Sequence, residues 1–135
     1  MRLAIVASEF HREVVDLMVE RALARAKELG LRVTALVRVP GAFEIPPAVQ
    51  RLLERADIDG AVALGAVIKG ETLHDEVIMD SAARALMDIG LRSGKPVGLG
   101  ITGPGMTEEQ AMARIDNAAR AVDAAKAMHD LLHGL

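Results

Sequence analysis

A chain of 135 residues with 51% hydrophobic content carries enough apolar material for one core and leaves no room for a second domain. Sixteen basic against 19 acidic residues, net charge −3, exclude the basic face of a nucleic-acid binder. The absence of cysteine excludes a disulfide framework and a thiolate metal site and suits a reducing cytoplasm, and no apolar run approaches the ~20 residues that span a bilayer.

The first predicted strand is Leu3 to Ser8, an unbroken apolar run of the kind found where both faces of a strand are covered. Glu9 and His11 break it too early for a signal peptide. Val14, Val15, Met18, Val19, Ala22, Leu23, Ala26 and Leu29 then recur at helical spacing, and Gly30 stops the helix. Leu31 to Val39 reads as the second strand. Arg32, Thr34 and Arg38 alternate there with apolar residues, which predicts an edge strand with one partly wet face, ended by Pro40-Gly41.

A short helix is expected over Ile45 to Arg55, with Pro46 and Pro47 in the first turn, where missing amides cost nothing. Gly60 to Gly65 is the third strand. A turn through Lys69-Gly70-Glu71-Thr72 leads to a helical pattern from His74 to Leu91, and Pro96 to Ile101 is the fourth strand. Thr107-Glu108-Glu109-Gln110 has the form of a capping box opening an alanine-rich stretch that reaches His133 as one helix or two. Alternating strands and helices predict an α/β fold over residues 1–135: a three-layer αβα sandwich, flavodoxin-like, with a four-stranded parallel sheet of order 2-1-3-4.

In such sheets ligands bind beyond the carboxyl ends of the strands. Four segments meet there: Ser8 to His11, Pro40 to Glu44, Gly65 to Thr72, and the loop Thr102 to Gly105. Trp and Tyr are absent, and the only two Phe, Phe10 and Phe43, both fall at this edge. Each reads either as a plug closing the core or as a platform for a planar ligand, with Glu44 either accepting ligand hydrogen bonds or serving as a helix-start acid. Gly70-Glu71-Thr72 opens a helix and offers amides and a hydroxyl to a small anion. His74 follows within one turn, where an imidazole is either a proton carrier or an ordinary surface residue.

Two motifs are decoys. Gly98-Leu99-Gly100-Ile101-Thr102-Gly103 matches a dinucleotide fingerprint, but its first two glycines lie inside the fourth strand and Pro104 follows the third, so close strand packing is expected. His129 and His133 stand at i, i+4 without an evident third ligand, and they complement a helix end more naturally than a metal. Arg114 and Arg120, with Asp116 and Asp123 nearby, read by default as solvated helix-face charges.

Val39-Pro40-Gly41-Ala42-Phe43-Glu44-Ile45-Pro46, Leu64-Gly65-Ala66-Val67-Ile68-Lys69-Gly70-Glu71-Thr72-Leu73-His74 and Glu109-Gln110-Ala111 leading to Arg114 resemble the 6,7-dimethyl-8-ribityllumazine synthase family over essentially the whole chain. The resemblance implies condensation of 5-amino-6-(D-ribitylamino)uracil with 3,4-dihydroxy-2-butanone 4-phosphate, releasing phosphate and water, with no metal or organic cofactor. It implies that Phe10 stacks on the pyrimidinedione, that Ala42, Phe43 and Glu44 hold the ribityl chain, and that Ala66, Val67 and Ile68 line the ring pocket. Glu71, Thr72 and Arg114 then bind the phosphate, and His74 is the acid-base residue. The family's site lies between subunits of a pentamer or a multiple of pentamers, so Leu99 and Arg114 come from the neighbour.

Departures from the family are His11 where many members have Asn, Leu99 where many have Phe, and a last segment without the Gly-Asn-Lys-Gly turn, with Arg120 near its lysine; they resemble the archaeal-type branch. His11 and Arg120 are therefore left out of the expected site. Competing readings are an archaeal-type riboflavin synthase, which dismutates lumazine, and a non-catalytic flavin- or lumazine-binding protein.

Overall fold

The computed structural model describes residues 1–70 and 74–135. Four strands, β1 (Arg2–Ser8), β2 (Arg32–Val39), β3 (Gly60–Ile68) and β4 (Val97–Met106), pair in parallel in the order β2-β1-β3-β4. Helices α1 (Arg12–Glu28), α2 (Ile45–Leu53), α3 (His74–Ser93), α4 (Glu108–Met112) and α5 (Asn117–His133) connect and cover them. The expected layering and strand order are therefore present.

Strand alternation divides the core. Leu3, Ile5 and Ala7 of β1 and Val62, Leu64 and Ala66 of β3 pack with α1 and α5. Ala4, Val6, Ala61, Ala63 and Val67 point the other way, toward α2 and α3. Because the two central strands are buried on both faces, they read as continuous apolar runs rather than as alternation.

Small residues let α5 lie close on the sheet. A Cβ added at Gly98 would come 2.2 Å from the Ala121 carbonyl oxygen, and one at Gly100 would come 2.6 Å from Leu64 Cδ2. Gly98 thus serves helix-on-sheet packing, which was not expected, whereas Gly100, where a Cβ would also come 2.9 Å from the Ala63 carbonyl oxygen, serves the close strand packing that was.

Two strand ends differ from expectation. β3 runs to Ile68 rather than Gly65, and β4 runs through the expected loop to Met106, because Ile68 pairs with Met106 and the Lys69 N–H donates to the Met106 carbonyl at 2.7 Å. The final stretch is two helices. Thr107 and Gln110 close the capping box of α4 at 3.0 and 3.1 Å, and a turn over residues 113–116 separates α4 from α5.

The wet face of β2 also differs. Leu3 pairs with Val33 and Ala4 with Ala35, so Thr34 sits in a bulge and the side chains beyond it change face. Arg32 and Leu36 are exposed, whereas Thr34 and Arg38 are half-buried. Arg38 donates to Asp16 Oδ1 of α1 at 2.7 Å.

The amino edge of the sheet is tied electrostatically. Arg2 donates to both Asp59 carboxylate oxygens, from Nη2 at 3.0 Å and Nε at 3.1 Å, and its backbone N–H adds a third bond at 2.7 Å. These bonds hold the Asp59 carboxyl far below the usual carboxylate range. A depressed folded-state value contributes stability that is present above the unfolded value of about 4 and is lost as pH falls through the folded one. Asp59→Asn should therefore lower the melting temperature by a few degrees at pH 7, with the gap to wild type closing steadily below about pH 4 in parallel thermal scans. A gap independent of pH would show that the pair's charge contributes nothing.

Candidate functional site

Pairing between β1 and β2 continues past their last strand residues. The Glu9 N–H donates to the Val39 carbonyl at 2.8 Å and the Phe10 N–H to the Pro40 carbonyl at 3.1 Å. This register carries the Phe10 ring over Gly41, where an added Cβ would come 3.1 Å from Phe10 Cδ2 and 3.4 Å from Glu44 Oε1. Bare backbone at Gly41 therefore lets a ring and a carboxylate approach the same spot.

The chain turns at His11, whose φ of 56° and ψ of 48° are left-handed. That geometry aims its carbonyl at the Val14 and Val15 N–H groups and starts α1. For a residue with a Cβ this conformation costs about 1–2 kcal/mol.

After β2, a single 3₁₀ turn over Ala42–Glu44 leads into α2. It presents Phe43 and Glu44 outward while Ala42 stays buried. Glu44 occupies the N-cap position of α2 and its side chain makes no capping bond, so its carboxylate is left for the hollow even where the helix dipole favours an acid.

These segments enclose an open hollow of about 720 Å³. Phe10 and His11 form one side, Gly41 to Glu44 another, Ala66, Val67, Ile68 and Gly70 the floor, and His74, Asp75, Val77 and Ile78 the far wall. Phe10 is 67% and Phe43 59% exposed, so neither plugs the core. An apolar hollow with a few convergent polar groups has the character of a small-molecule site. Two imidazoles and two carboxylates line it, and no lysine or arginine does among the described residues.

Eight of the expected site residues thus meet in one place: Phe10, Ala42, Phe43, Glu44, Ala66, Val67, Ile68 and His74. Glu71 and Thr72 lie outside the described residues. Leu99, on the edge strand β4, and Arg114, in the turn between α4 and α5, are exposed and do not line the hollow. Arg114 makes no ion pair or side-chain hydrogen bond with a described residue. Asp116 and Asp123 instead engage Arg21 and Arg25 of α1, at 2.9 and 2.6 Å.

Sequence reasoning missed His11, Asp75, Val77 and Ile78 as wall residues. Asp75 reads in sequence as one more acid favoured by a helix start, and only the fold buries it to 7% exposure and gives its Oδ2 the Gly105 N–H at 2.9 Å. The histidine pair at the chain's end stays apart from this site. Its rings lie 4.2 Å apart, His133 Nδ1 is 2.9 Å from the His129 carbonyl oxygen, and burial, with His133 beside it, lowers the His129 imidazole below its ordinary value. Among the described residues no three His, Asp or Glu side chains gather as a metal site would require.

The sequence profile of 6,7-dimethyl-8-ribityllumazine synthase matches residues 1–134. The chain belongs to that family. Relatives bearing that name include proteins of Staphylothermus marinus, 53% identical over 94% of this chain and 85% of that one, and Methanopyrus kandleri, 52% identical over 95% and 91%. A third, from Picrophilus torridus, is 47% identical over 98% of this chain and 97% of its own. Among solved structures, a de novo designed Rossmann fold protein aligns with a TM-score of 0.46 at 17% identity, covering 88% of this chain and 98% of that one.

The stacking of Phe10 on Gly41 is testable by itself. Because Phe10 is exposed, its ring can pivot away from a new methyl, so Gly41→Ala should leave the melting temperature within about 2 °C, the range of a well-tolerated surface change. The Phe10 ring resonances should nevertheless move. With only two Phe and no Trp or Tyr, the aromatic spectrum resolves this directly. Unmoved resonances would mean that the ring does not rest on Gly41 in solution.

Proposed function

We propose that this protein condenses 5-amino-6-(D-ribitylamino)uracil with 3,4-dihydroxy-2-butanone 4-phosphate to give 6,7-dimethyl-8-ribityllumazine, the penultimate step of riboflavin biosynthesis. The observation that carries the reading is the single hollow that holds Phe10, Phe43, Glu44 and His74, in a chain matched by the family over nearly its whole length. The Phe10 ring offers a stacking face for the pyrimidinedione. Ala66, Val67 and Ile68 shape the ring pocket, and Ala42, Phe43 and the uncommitted Glu44 carboxylate take the ribityl hydroxyls.

At the other end, Glu71 and Thr72 bind the phosphate largely through backbone amides. His74, between the two ends, moves protons as the pyrimidine amine adds to the butanone carbonyl, water leaves to form the imine, and phosphate is eliminated. Holding the two substrates together supplies much of the acceleration.

A phosphate at the end near His74 and the Asp75 carboxylate needs a cation, and the described lining of the hollow has none. Arg114 is exposed and uncommitted, which fits a guanidinium delivered to a neighbouring subunit as a planar phosphate clamp. Leu99 reaches the neighbour's pyrimidine end in the same way. The working unit is accordingly a homo-oligomer, a pentamer or a multiple of pentamers with sites between subunits, acting in the cytoplasm on small molecules.

With both substrates present, the purified protein should form fluorescent lumazine and release phosphate, read against a chain lacking Trp and Tyr. Consumption of lumazine alone would instead identify a riboflavin synthase, and binding without turnover a carrier. His74→Ala should slow turnover about 10- to 1000-fold, and Arg114→Ala should raise KM for the phosphorylated substrate but not for the pyrimidine. If each site takes His74 from one subunit and Arg114 from the next, oligomers reassembled from equal amounts of the two variants recover roughly a quarter of wild-type sites. Mixtures that recover nothing would place both residues in one chain's site.

A further inference from the structure

The carboxylate of Asp75 is buried beside the hollow, and the family reading gives it no task. It is not explained as a dipole partner, since Glu76, in the same first turn of α3, is exposed and supplies that charge. Burying a carboxylate is costly unless a hydrogen bond compensates. Here the compensating donor is the backbone N–H of Gly105, 2.9 Å from Oδ2.

Gly105 belongs to the extension of β4 beyond Thr102, and that extension is held against β3 by two other contacts. A Cβ at Gly103 would come 2.3 Å from the Val67 carbonyl oxygen, so the two backbones touch. The Lys69 N–H donates to the Met106 carbonyl at 2.7 Å. Both contacts fasten the extension to the strand that makes the floor of the hollow. The Asp75 bond reaches from the extension to α3. Gly105 itself has φ 76° and open space where a side chain would stand, so glycine is required there for the backbone angle that presents this N–H.

Resting on the proposed function, we propose that Asp75 is a positioning residue: by pinning the first turn of α3 to the β4 extension, it fixes His74 relative to the Val67 and Ile68 floor. The stacking and ribityl-binding residues of the pyrimidine end, Phe10 and Ala42 to Glu44, stand on the segment after β1 and on the 3₁₀ turn, to which the Asp75 bond does not reach, and the Val67 and Ile68 floor they share with His74 is held by β3 pairing with its neighbouring strands. The two ends of the site should therefore respond differently to its loss.

The test uses the full-length oligomer with Asp75→Ala and Asp75→Asn, the latter keeping an oxygen that accepts the Gly105 bond. Asp75→Ala should lower kcat about 10- to 100-fold with KM for the pyrimidine substrate unchanged, and Asp75→Asn should stay within about 3-fold of wild type, as expected for loss or retention of alignment. A merely structural role would move kcat and pyrimidine affinity together, and a purely electrostatic one would make Asn as damaging as Ala. Either result overturns the proposal. Two measurements need no substrate and so separate this proposal from the reading it rests on. The Gly105 amide should be protected from hydrogen exchange in wild type and in Asp75→Asn, and the His74 ring resonances should shift in Asp75→Ala but not in Asp75→Asn. A freely exchanging Gly105 amide in wild type would reject the pin even if the alanine variant fails to assemble.

Discussion

Parallel pairing forces every strand of a sheet to end at the same edge, and in this protein that constraint places everything else. β1 and β2 run past their last regular residues still bonded, through the Glu9 and Phe10 amides, so the first aromatic ring arrives over Gly41. β3 delivers Ala66, Val67 and Ile68 to the same level. None of these residues needs a specialised loop to reach its neighbours. The backbone ladder brings them together, and side-chain identity then decides what the edge can bind.

The same constraint leaves the edge incomplete. Phe10, Phe43 and Val77 remain largely exposed around the hollow, an arrangement whose hydrophobic cost is recovered only when a ligand or another surface covers it. The electrostatics are lopsided too. Acids and imidazoles line the hollow among the described residues, while Arg114 stands elsewhere, on a turn after which Asp116 and Asp123 are already engaged by α1. Apolar exposure and, among the described residues, missing positive charge are independent observations, and both support the proposal of a site shared with an adjoining copy.

Much of this was legible in the sequence, for reasons that differ by element. β1 and β3 were readable because burial on both faces erases polar positions, and Gly30, Pro40-Gly41 and the Thr107 capping box punctuate the chain at sites of definite local chemistry. The parallel sheet followed from the alternation of elements, and its strand order from the flavodoxin-like folds that share that alternation. What escaped was set by contacts distant in sequence. The length of β4 depends on Ile68 meeting Met106, the face change in β2 on a bulge opposite Leu3 and Ala4, and the burial of Asp75 on Gly105, thirty residues away. No local pattern encodes such pairings. His11 was set aside for a different reason: it stands where many family members have Asn, and only the structure shows that its left-handed backbone turns the chain into α1 at the side of the hollow.

The two ends of the hollow are built on different principles. The Phe10 and Glu44 end rests on strand pairing and a 3₁₀ turn, with Gly41 clearing the space between them, so it is fixed by backbone geometry and tolerates exposed side chains. The His74 end begins a helix, and a helix beginning is held only as well as its first turn is anchored. A rigid platform suits a ligand recognised by its flat face, whose stacking energy depends weakly on small displacements. Proton transfer depends steeply on distance. Under the proposed role of His74, the buried carboxylate that bonds across to β4 sits where rigidity matters most, one residue from the imidazole, and its absence from any local sequence signal is the expected consequence of a demand that arises only after the sheet has formed.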